Sequence, residues 1–361
     1  MKKLLVALAP VTVLAACASP SSTPSTTTPA TPPSSAASTA ATGPQQVTLL
    51  AHDAFVVSDE LIRKLKDDTG IELSVVTGGD AGSMVAGAIL TAGAPTADVM
   101  FGVDNTLVAK AANARVFEPY SSPELTHVIP ALATDVAGGD VTPIDYGDVC
   151  ININEPALKK SGLSAPTSID ELTDPRYASQ LVVEDPATSS PGLAFLLATI
   201  ERHPSDWQEY WAKLRDGGVK VSGSWTDAYE GQYTSGKRAM VVSYATSPPA
   251  EVVYADDPKS ATPTSTVLTD GCYRQVEYAG VLAGAKNPEG AKRVIDWLLS
   301  EPVQADVPLS MFVFPARENV MLPEVFTKYA SVVPDPVQLP ASDVDANLAE
   351  WLAQWGEVMG R

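Results

Sequence analysis

The sequence predicts a two-lobed α/β fold in which the chain crosses between the lobes twice. Short apolar strands alternate with helical patterns over Val47–Val116, and the same alternation starts again over Leu181–Tyr244. Such alternation is typical of parallel strands joined by right-handed crossovers. The segment Gln275–Ala283 has the pattern of a further strand, which would return the chain to the first lobe.

The individual elements follow from the hydrophobic period and from the residues that start or end each segment. The predicted strands are Val47–Ala51, Ile71–Val76, Ala97–Val103, one from about Cys150, Leu181–Glu184, Val219–Ser222, Ala239–Tyr244 and Gln275–Ala283. The predicted helices are Ser58–Thr69, Ser83–Ala92, one from about Thr106, Leu193–Arg202, Trp207–Asp216, Thr226–Thr234, Glu289–Ser300 and Asp343–Met359. We define lobe one as residues 45–145 and 275–361, and lobe two as residues 146–274.

The N-terminus has the features of an export signal, with two lysines, the apolar run Leu4–Ala16 and then Cys17. Leu14–Cys17 resembles a bacterial lipobox, in which the cysteine is acylated; otherwise Cys17 is an incidental residue of an ordinary signal peptide. The run is shorter than the about 20 residues of a membrane-spanning helix. We predict a lipoprotein signal peptide over residues 1–17, a Ser/Thr/Pro/Ala tether over residues 18–44, and a lipid anchor on the outer face of the cell membrane.

The charge balance is strongly acidic, with 43 Asp and Glu against 24 Lys and Arg and a net charge of −19. This balance argues against a nucleic-acid partner and suits a cationic ligand. The three histidines have no metal-ligand spacing, and neither GxSxG nor GxGxxG occurs. Gly231–Lys237 matches GxxxxGK, but Arg238 replaces the hydroxyl residue that a phosphate loop needs. We therefore predict a protein that is not an enzyme and has no metal and no cofactor.

Carboxylates follow the first three predicted strands of lobe one. His52 and Asp53 follow the first strand, Asp80 the second and Asp104 the third. Ligands of open parallel sheets bind outside the carboxyl ends of the strands, so these residues are candidates for an electronegative rim. Helix capping explains each aspartate equally well, because Asp is a favoured N-cap residue.

The corresponding edge of lobe two has hydroxyl and aromatic residues. Ser189, Ser190 and Gly192 precede an apolar helix, where free amides and hydroxyls form an anion site or simply cap the helix. Trp225 follows the next strand, and Tyr244 with Ser247 follows the last. Aromatic faces at this edge suit a cationic or flat heteroaromatic ring, although such residues also serve as core. The set as a whole fits a ligand with a cationic aromatic part and an anionic end.

These residues resemble a known family, the thiamine-binding periplasmic proteins of bacterial ABC importers. The resemblance runs from Val47 to about Phe326. It rests on seven segments: His52–Phe55, Ala97–Asn105, Asp145–Gly147, Glu184–Leu193, Ser224–Tyr229, Ser243–Pro248 and Tyr273–Glu277. It implies the type II periplasmic-binding-protein fold.

The resemblance also implies roles for individual residues. Asp80 would contact the aminopyrimidine, Ser190 and its neighbours the hydroxyethyl or phosphate end, and Trp225 with Tyr244 the rings. Phe312 occupies the place of a family tryptophan, His52 that of a tyrosine, and a later family tyrosine is absent near Pro249. The predicted ligand-binding set is His52, Asp53, Asp80, Asp104, Ser189, Ser190, Gly192, Trp225, Tyr229, Tyr244, Ser247 and Phe312.

The implied ligand is thiamine, thiamine monophosphate or thiamine diphosphate, and the implied partner is the permease of an ABC importer. We expect a monomer. Ferric iron or another small solute is the alternative cargo for this fold, but iron sites favour paired adjacent tyrosines, and Tyr244 has no tyrosine neighbour. A lipid-anchored hydrolase is the alternative from another class, and no nucleophile and base can be named for it.

The two cysteines of the folded part, Cys150 and Cys272, are either buried thiols or a disulfide. Cys150 lies at the start of the strand that enters lobe two, and Cys272 just before the strand that returns. In a protein with two crossovers these segments run side by side, and export to an oxidising exterior permits a bond. We predict the disulfide.

Replacing Cys17 tests the anchor. Acylation requires the cysteine thiol, so Cys17→Ser should move the protein from the membrane fraction to the soluble fraction without changing ligand binding. The measurement is fractionation without detergent, with the unaltered protein run in parallel. A variant that stays with the membrane would contradict the lipobox interpretation.

Overall fold

The computed structural model describes residues 45–133 and 137–361. The predicted signal peptide, Cys17 and the tether lie outside these residues. Within the described residues, no helix is both long and apolar enough to cross a bilayer.

Ten strands form one mixed sheet across this part of the chain. They are β1 (Gln45–Ala51), β2 (Ile71–Thr77), β3 (Val99–Asp104), β4 (Phe117–Glu118), β5 (Thr142–Asn154), β6 (Leu181–Glu184), β7 (Lys220–Ser222), β8 (Met240–Tyr244), β9 (Ser265–Leu282) and β10 (Phe314–Pro315). The strand order is β2-β1-β3-β9-β5-β8-β6-β7, with β4 added beside β9 and β10 beside β5.

Helices cover both halves of the sheet. They are α1 (Asp59–Thr69), α2 (Ala81–Leu90), α3 (Val108–Asn113), α4 (Glu155–Lys160), α5 (Pro175–Ala178), α6 (Ser190–Arg202), α7 (Trp207–Asp216), α8 (Trp225–Ala228), α9 (Pro248–Val253), α10 (Pro288–Leu298), α11 (Glu301–Ser310), α12 (Glu324–Tyr329) and α13 (Ala341–Met359). A π-helical segment, Tyr229–Thr234, continues α8, and short 3₁₀ turns cover Pro123–His127, Ala137–Gly139 and Ile169–Thr173.

The sheet has two parallel halves joined by two long antiparallel strands. In lobe one, β1 pairs in parallel with both β2 and β3, and in lobe two β6 pairs in parallel with β7 and β8. Strand β9 pairs antiparallel with β3, β5 with β8, and β5 with β9. The carboxyl ends of the parallel strands therefore face each other across the β5–β9 pair, where the candidate site residues lie.

Most predicted elements are present, and three differ for identifiable reasons. The helix predicted at Ser83 begins at Ala81, because the Asp80 carboxylate accepts the Ala81 amide at 2.6 Å and caps α2. The returning strand predicted from Gln275 begins ten residues earlier, at Ser265, because its polar first half pairs with the end of β5. The helix predicted from Thr226 changes from α to π geometry at Tyr229.

A disulfide joins Cys150 on β5 to Cys272 on β9, with 4.5 Å between the Cα atoms. Both cysteines are buried against Ala245 and Val333. The register explains the short distance, since Val149 lies opposite Tyr273 and the pairing shifts immediately after Val149. The bond therefore fastens the two crossover strands at their centre, as the topology of the sequence predicted.

Removing this bond should destabilise the protein. The disulfide spans 122 positions of chain, for which the chain-entropy model gives about 4–5 kcal/mol. We expect the double variant Cys150→Ala, Cys272→Ala to lose up to about that much free energy of unfolding, measured by urea titration, and to be insensitive to reductant. Mass spectrometry of the unreduced, alkylated protein is the direct check, and two alkylated cysteines there would contradict the bond.

Candidate functional site

A cavity of about 500 Å³ opens between the facing strand ends of the two lobes. Loops after β1 and β2, strand β9 and the segment after α11 contribute to it from lobe one. The start of α6, the α8 region and the residues after β8 contribute from lobe two. The cavity brings together nine of the predicted ligand-binding residues: His52, Asp53, Asp80, Ser190, Trp225, Tyr229, Tyr244, Ser247 and Phe312.

Three aromatic rings form the wall contributed by lobe two. Trp225 stacks on Tyr229 with 4.9 Å between ring centroids and 14° between planes, and Tyr244 is tilted against Trp225 at 6.4 Å. The Ser224 hydroxyl accepts the Asp227 amide and caps α8, which fixes where Trp225 leaves the backbone. The Trp225 indole N–H donates to Ser243 Oγ at 2.9 Å. The wall is thus held in place and offers a flat ring a surface for stacking.

Asp80 links this wall to lobe one. Its Oδ1 accepts the Ala81 amide, and its Oδ2 accepts the Trp225 amide at 2.8 Å. Burial raises the pKa of the Asp80 carboxyl, and the Trp225 amide opposes that rise. Asp80 is therefore both a helix cap and a cavity carboxylate, so the two interpretations of the sequence hold together for this residue.

His52 and Glu277 lie together on the lobe-one side of the cavity, with 3.5 Å between His52 Nε2 and Glu277 Oε1, and they form an ion pair when His52 is protonated. Burial lowers the pKa of His52, but Glu277, Asp80 and Asp53 raise it more, so its net shift is upward. Burial raises the pKa of Glu277, and His52 outweighs this and lowers it. His52 fits here because residue 102 is glycine: a Cβ there would lie 2.3 Å from His52 Cδ2.

Asp104 lies behind the cavity and does not line it. It is fully buried, and its carboxylate accepts the Gln275 side-chain amide at 2.6 Å and the Thr106 hydroxyl at 2.7 Å. The same Gln275 amide donates to Ser190 Oγ at 2.8 Å. Burial raises the pKa of Asp104 to about 7. The sequence predicted Asp104 as part of the rim, and the structure places it behind the cavity lining, where Gln275 of β9 and Thr106 bind its carboxylate.

Ser189 and Gly192 also lie outside the cavity lining. Ser189 is fully buried. Gly192 packs against β6, where a Cβ would lie 2.6 Å from the Glu184 carbonyl oxygen. Close packing of α6 on β6 therefore requires glycine at this position. Of the predicted anion-binding group, only Ser190 at the start of α6 reaches the cavity.

Phe312 and Tyr254 meet at the cavity from opposite lobes, with ring centroids 5.7 Å apart in an edge-to-face arrangement. Phe312 has a positive φ of 55°, which is unusual for an aromatic residue. Such strain persists only where the surroundings enforce it. The two rings join the lobes through an aromatic contact that only the tertiary structure reveals.

Among the cavity-lining residues that sequence reasoning missed are Glu230, Tyr254, Glu277 and Met311. A signal for Glu277 was present. Gln275 and Glu277 are polar residues two positions apart in an otherwise apolar part of β9, so both project from the same face of the strand. Nothing in the sequence marks Met311 or Tyr254, since both lie in connections between elements.

The charged side chains that line the cavity are all acidic, apart from His52. Its lining includes the carboxylates of Asp53, Asp80, Glu230 and Glu277 and includes neither lysine nor arginine. Within the described residues, no group of three or more His, Cys, Asp or Glu side chains is placed to hold a metal ion. The arrangement favours a flat organic cation, which the rings can stack on and the carboxylates can neutralise.

Comparison with known proteins agrees with this architecture. The chain is 28% identical to the thiamine-binding periplasmic protein of Escherichia coli K12 over 323 residues, which cover 87% of this chain and 94% of that protein. It is 27% identical to the protein of the same name from Brucella melitensis, covering 87% of this chain and 92% of that one. The predicted resemblance to this family is confirmed.

Solved structures give the same result for the fold. A periplasmic thiamin binding protein superposes with a TM-score of 0.79 at 25% identity, covering 88% of this chain and 96% of that one. Iron-bound HitA from Pseudomonas aeruginosa shares the fold at a TM-score of 0.70 and 19% identity, covering 87% and 99%. The predicted two-lobed periplasmic-binding-protein fold is confirmed. Residues 94–333 match the family model described as bacterial extracellular solute-binding protein, and the chain belongs to that family.

Proposed function

We propose that this protein captures thiamine or a thiamine phosphate in the cavity between its lobes and delivers it to the permease of an ABC importer. Family membership supports the solute-binding part of this proposal, and the names of the relatives support thiamine. The relatives are binding proteins, so we propose capture without catalysis, by a monomer that needs no cofactor.

One observation carries the choice of ligand: stacked aromatic rings and carboxylates meet in a cavity whose lining lacks lysine and arginine. Thiamine is a cation made of two flat heteroaromatic rings. Trp225, Tyr229 and Tyr244 offer faces for the rings, and desolvated contacts of a cation with an aromatic face are worth about 2 kcal/mol or more. Asp80 and Glu277 offer the negative charge that compensates the cation. Because both carboxylates are already buried in the empty cavity, pairing with a cation offsets part of the cost of their burial.

The anchor completes the proposed pathway. The lipobox pattern Leu14–Cys17 and the uncharged tether would hold the binding domain near the membrane that contains the permease.

Ferric iron is the weaker candidate for this cavity. Iron-binding proteins occur among the structural neighbours, but at 16–19% identity they support the fold alone. The described residues provide no cluster of three or more metal-ligating His, Cys, Asp or Glu side chains, and Ala245 follows Tyr244. We therefore do not propose iron as the cargo.

Removing either of two rings tests the thiamine assignment. Trp225→Ala and Tyr244→Ala should each raise the dissociation constant for thiamine about tenfold or more, since about 1.4 kcal/mol corresponds to one decade. Isothermal titration measures this. Tyr177→Ala is the matched control, because that tyrosine donates to the Ser164 carbonyl outside the cavity. Unchanged affinity in both cavity variants would remove these rings from the site.

A second substitution tests whether the start of α6 binds the phosphate end of the ligand. Ser190 Oγ accepts the Gln275 amide, which leaves its hydroxyl hydrogen free to donate toward the cavity at the start of α6. Ser190→Ala should therefore weaken binding of thiamine monophosphate more than binding of thiamine, as measured by titration with each ligand. Equal losses for both ligands would show that the residues at the start of α6 serve only as a helix cap and do not bind the phosphate.

A further inference from the structure

His52 is the one cation-forming side chain that lines the cavity, and it lies among carboxylates. Glu277 on β9 is its direct partner at 3.5 Å. Asp53 follows His52 on the same loop, and Asp80 approaches from the start of α2. The Phe101 ring of β3 covers the other side of the imidazole, with 5.5 Å between ring centroids.

This arrangement places an imidazole where the ligand's charge would be neutralised. His52 and Glu277 are about 8% and 6% exposed, so water screens their interaction only weakly. A protonated His52 stabilises Glu277 in the empty cavity. A second cation in the same cavity would be repelled by that proton and attracted by the same carboxylate.

We propose that protonated His52 serves as the counter-ion of Glu277 in the empty cavity and releases its proton when a cationic solute enters. The inference rests on the proposed function, because it requires a ligand with positive charge. The His52–Glu277 pair would then discriminate between ligands by their charge. A monocation replaces one proton, whereas a neutral solute leaves the proton in place.

The direction of the pH dependence follows from the raised pKa of His52. Below that pKa the solute must displace a proton, so its affinity falls as the pH falls, by at most about tenfold per pH unit for one proton. Above that pKa no proton is displaced and this contribution disappears. Asp104, with a pKa of about 7, and Asp145, whose pKa is raised by burial and by Glu277, lie behind the pair and contribute their own pH dependence.

Calorimetry with thiamine in buffers of different ionisation enthalpy measures the number of protons released. We expect wild-type protein to release a proton fraction that grows as the pH falls through the pKa of His52. His52→Gln should release fewer protons at each pH and bind thiamine relatively more tightly at acid pH, because its neutral side chain no longer competes for Glu277. The release that remains in this variant measures the contribution of the buried aspartates and of Glu277, whose pKa burial raises once His52 is replaced.

His203→Gln is the matched control. His203 also pairs with a carboxylate, at 2.9 Å from Asp170, but it lies outside the cavity lining. This variant should release as many protons as the wild type. Equal proton release from wild type and His52→Gln would overturn the inference.

Nuclear magnetic resonance gives a second measurement on the unaltered site. The chain has three histidines, and variants of His127 and His203 identify the His52 signal even if His52→Gln fails to fold. Addition of thiamine should lower the titration midpoint of His52. Thiamine binding without that shift would overturn the inference alone, whereas absence of thiamine binding would overturn the proposed function and this inference with it.

Discussion

The antiparallel pairing of β5 with β9 is the constraint on which the rest of the structure depends. These two strands run through both lobes, and every other strand attaches to one of them directly or through a neighbour. The Cys150–Cys272 disulfide fixes their register at the centre. Because both parallel half-sheets face this pair, their carboxyl ends must converge on it. The cavity is a consequence of that convergence, and β9 passes along it with Gln275 and Glu277.

The electrostatics of the cavity follow from this burial. Asp104, Asp145 and Glu277 are carboxylates with at most 6% exposure, and uncompensated charges there would be costly. Burial raises the pKa values of Asp104 and Asp145, which favours their neutral forms. Glu277 is paired with His52, and the Gln275 side-chain amide donates to Asp104. What remains is a cavity lined by carboxylates and one imidazole.

Polar contacts join the lobes near α2. Asp80 accepts the Trp225 amide, and the Ser83 amide donates to the Thr188 carbonyl at 3.1 Å. Gly82 permits this approach, since a Cβ there would lie 2.7 Å from the Thr188 backbone. Hydrogen bonds of this kind are each worth about 1 kcal/mol, so this contact near α2 holds the lobes together only weakly.

The sequence by itself determined the strand–helix alternation and indicated the return of β9 to lobe one, because hydrophobic period and helix ends are local properties. The disulfide was a prediction from that topology, and the pairing of β5 with β9 decided it. It also identified the residues at strand ends, such as Trp225 and Asp80, since strand ends converge in this fold. Only the tertiary structure decided which of them reach the cavity. It covers Asp104 with β9 and packs Gly192 on β6, and it brings Glu277 to His52 across about 220 residues of sequence. Side-chain direction and long-range burial depend on the packing of distant segments, which no local pattern records.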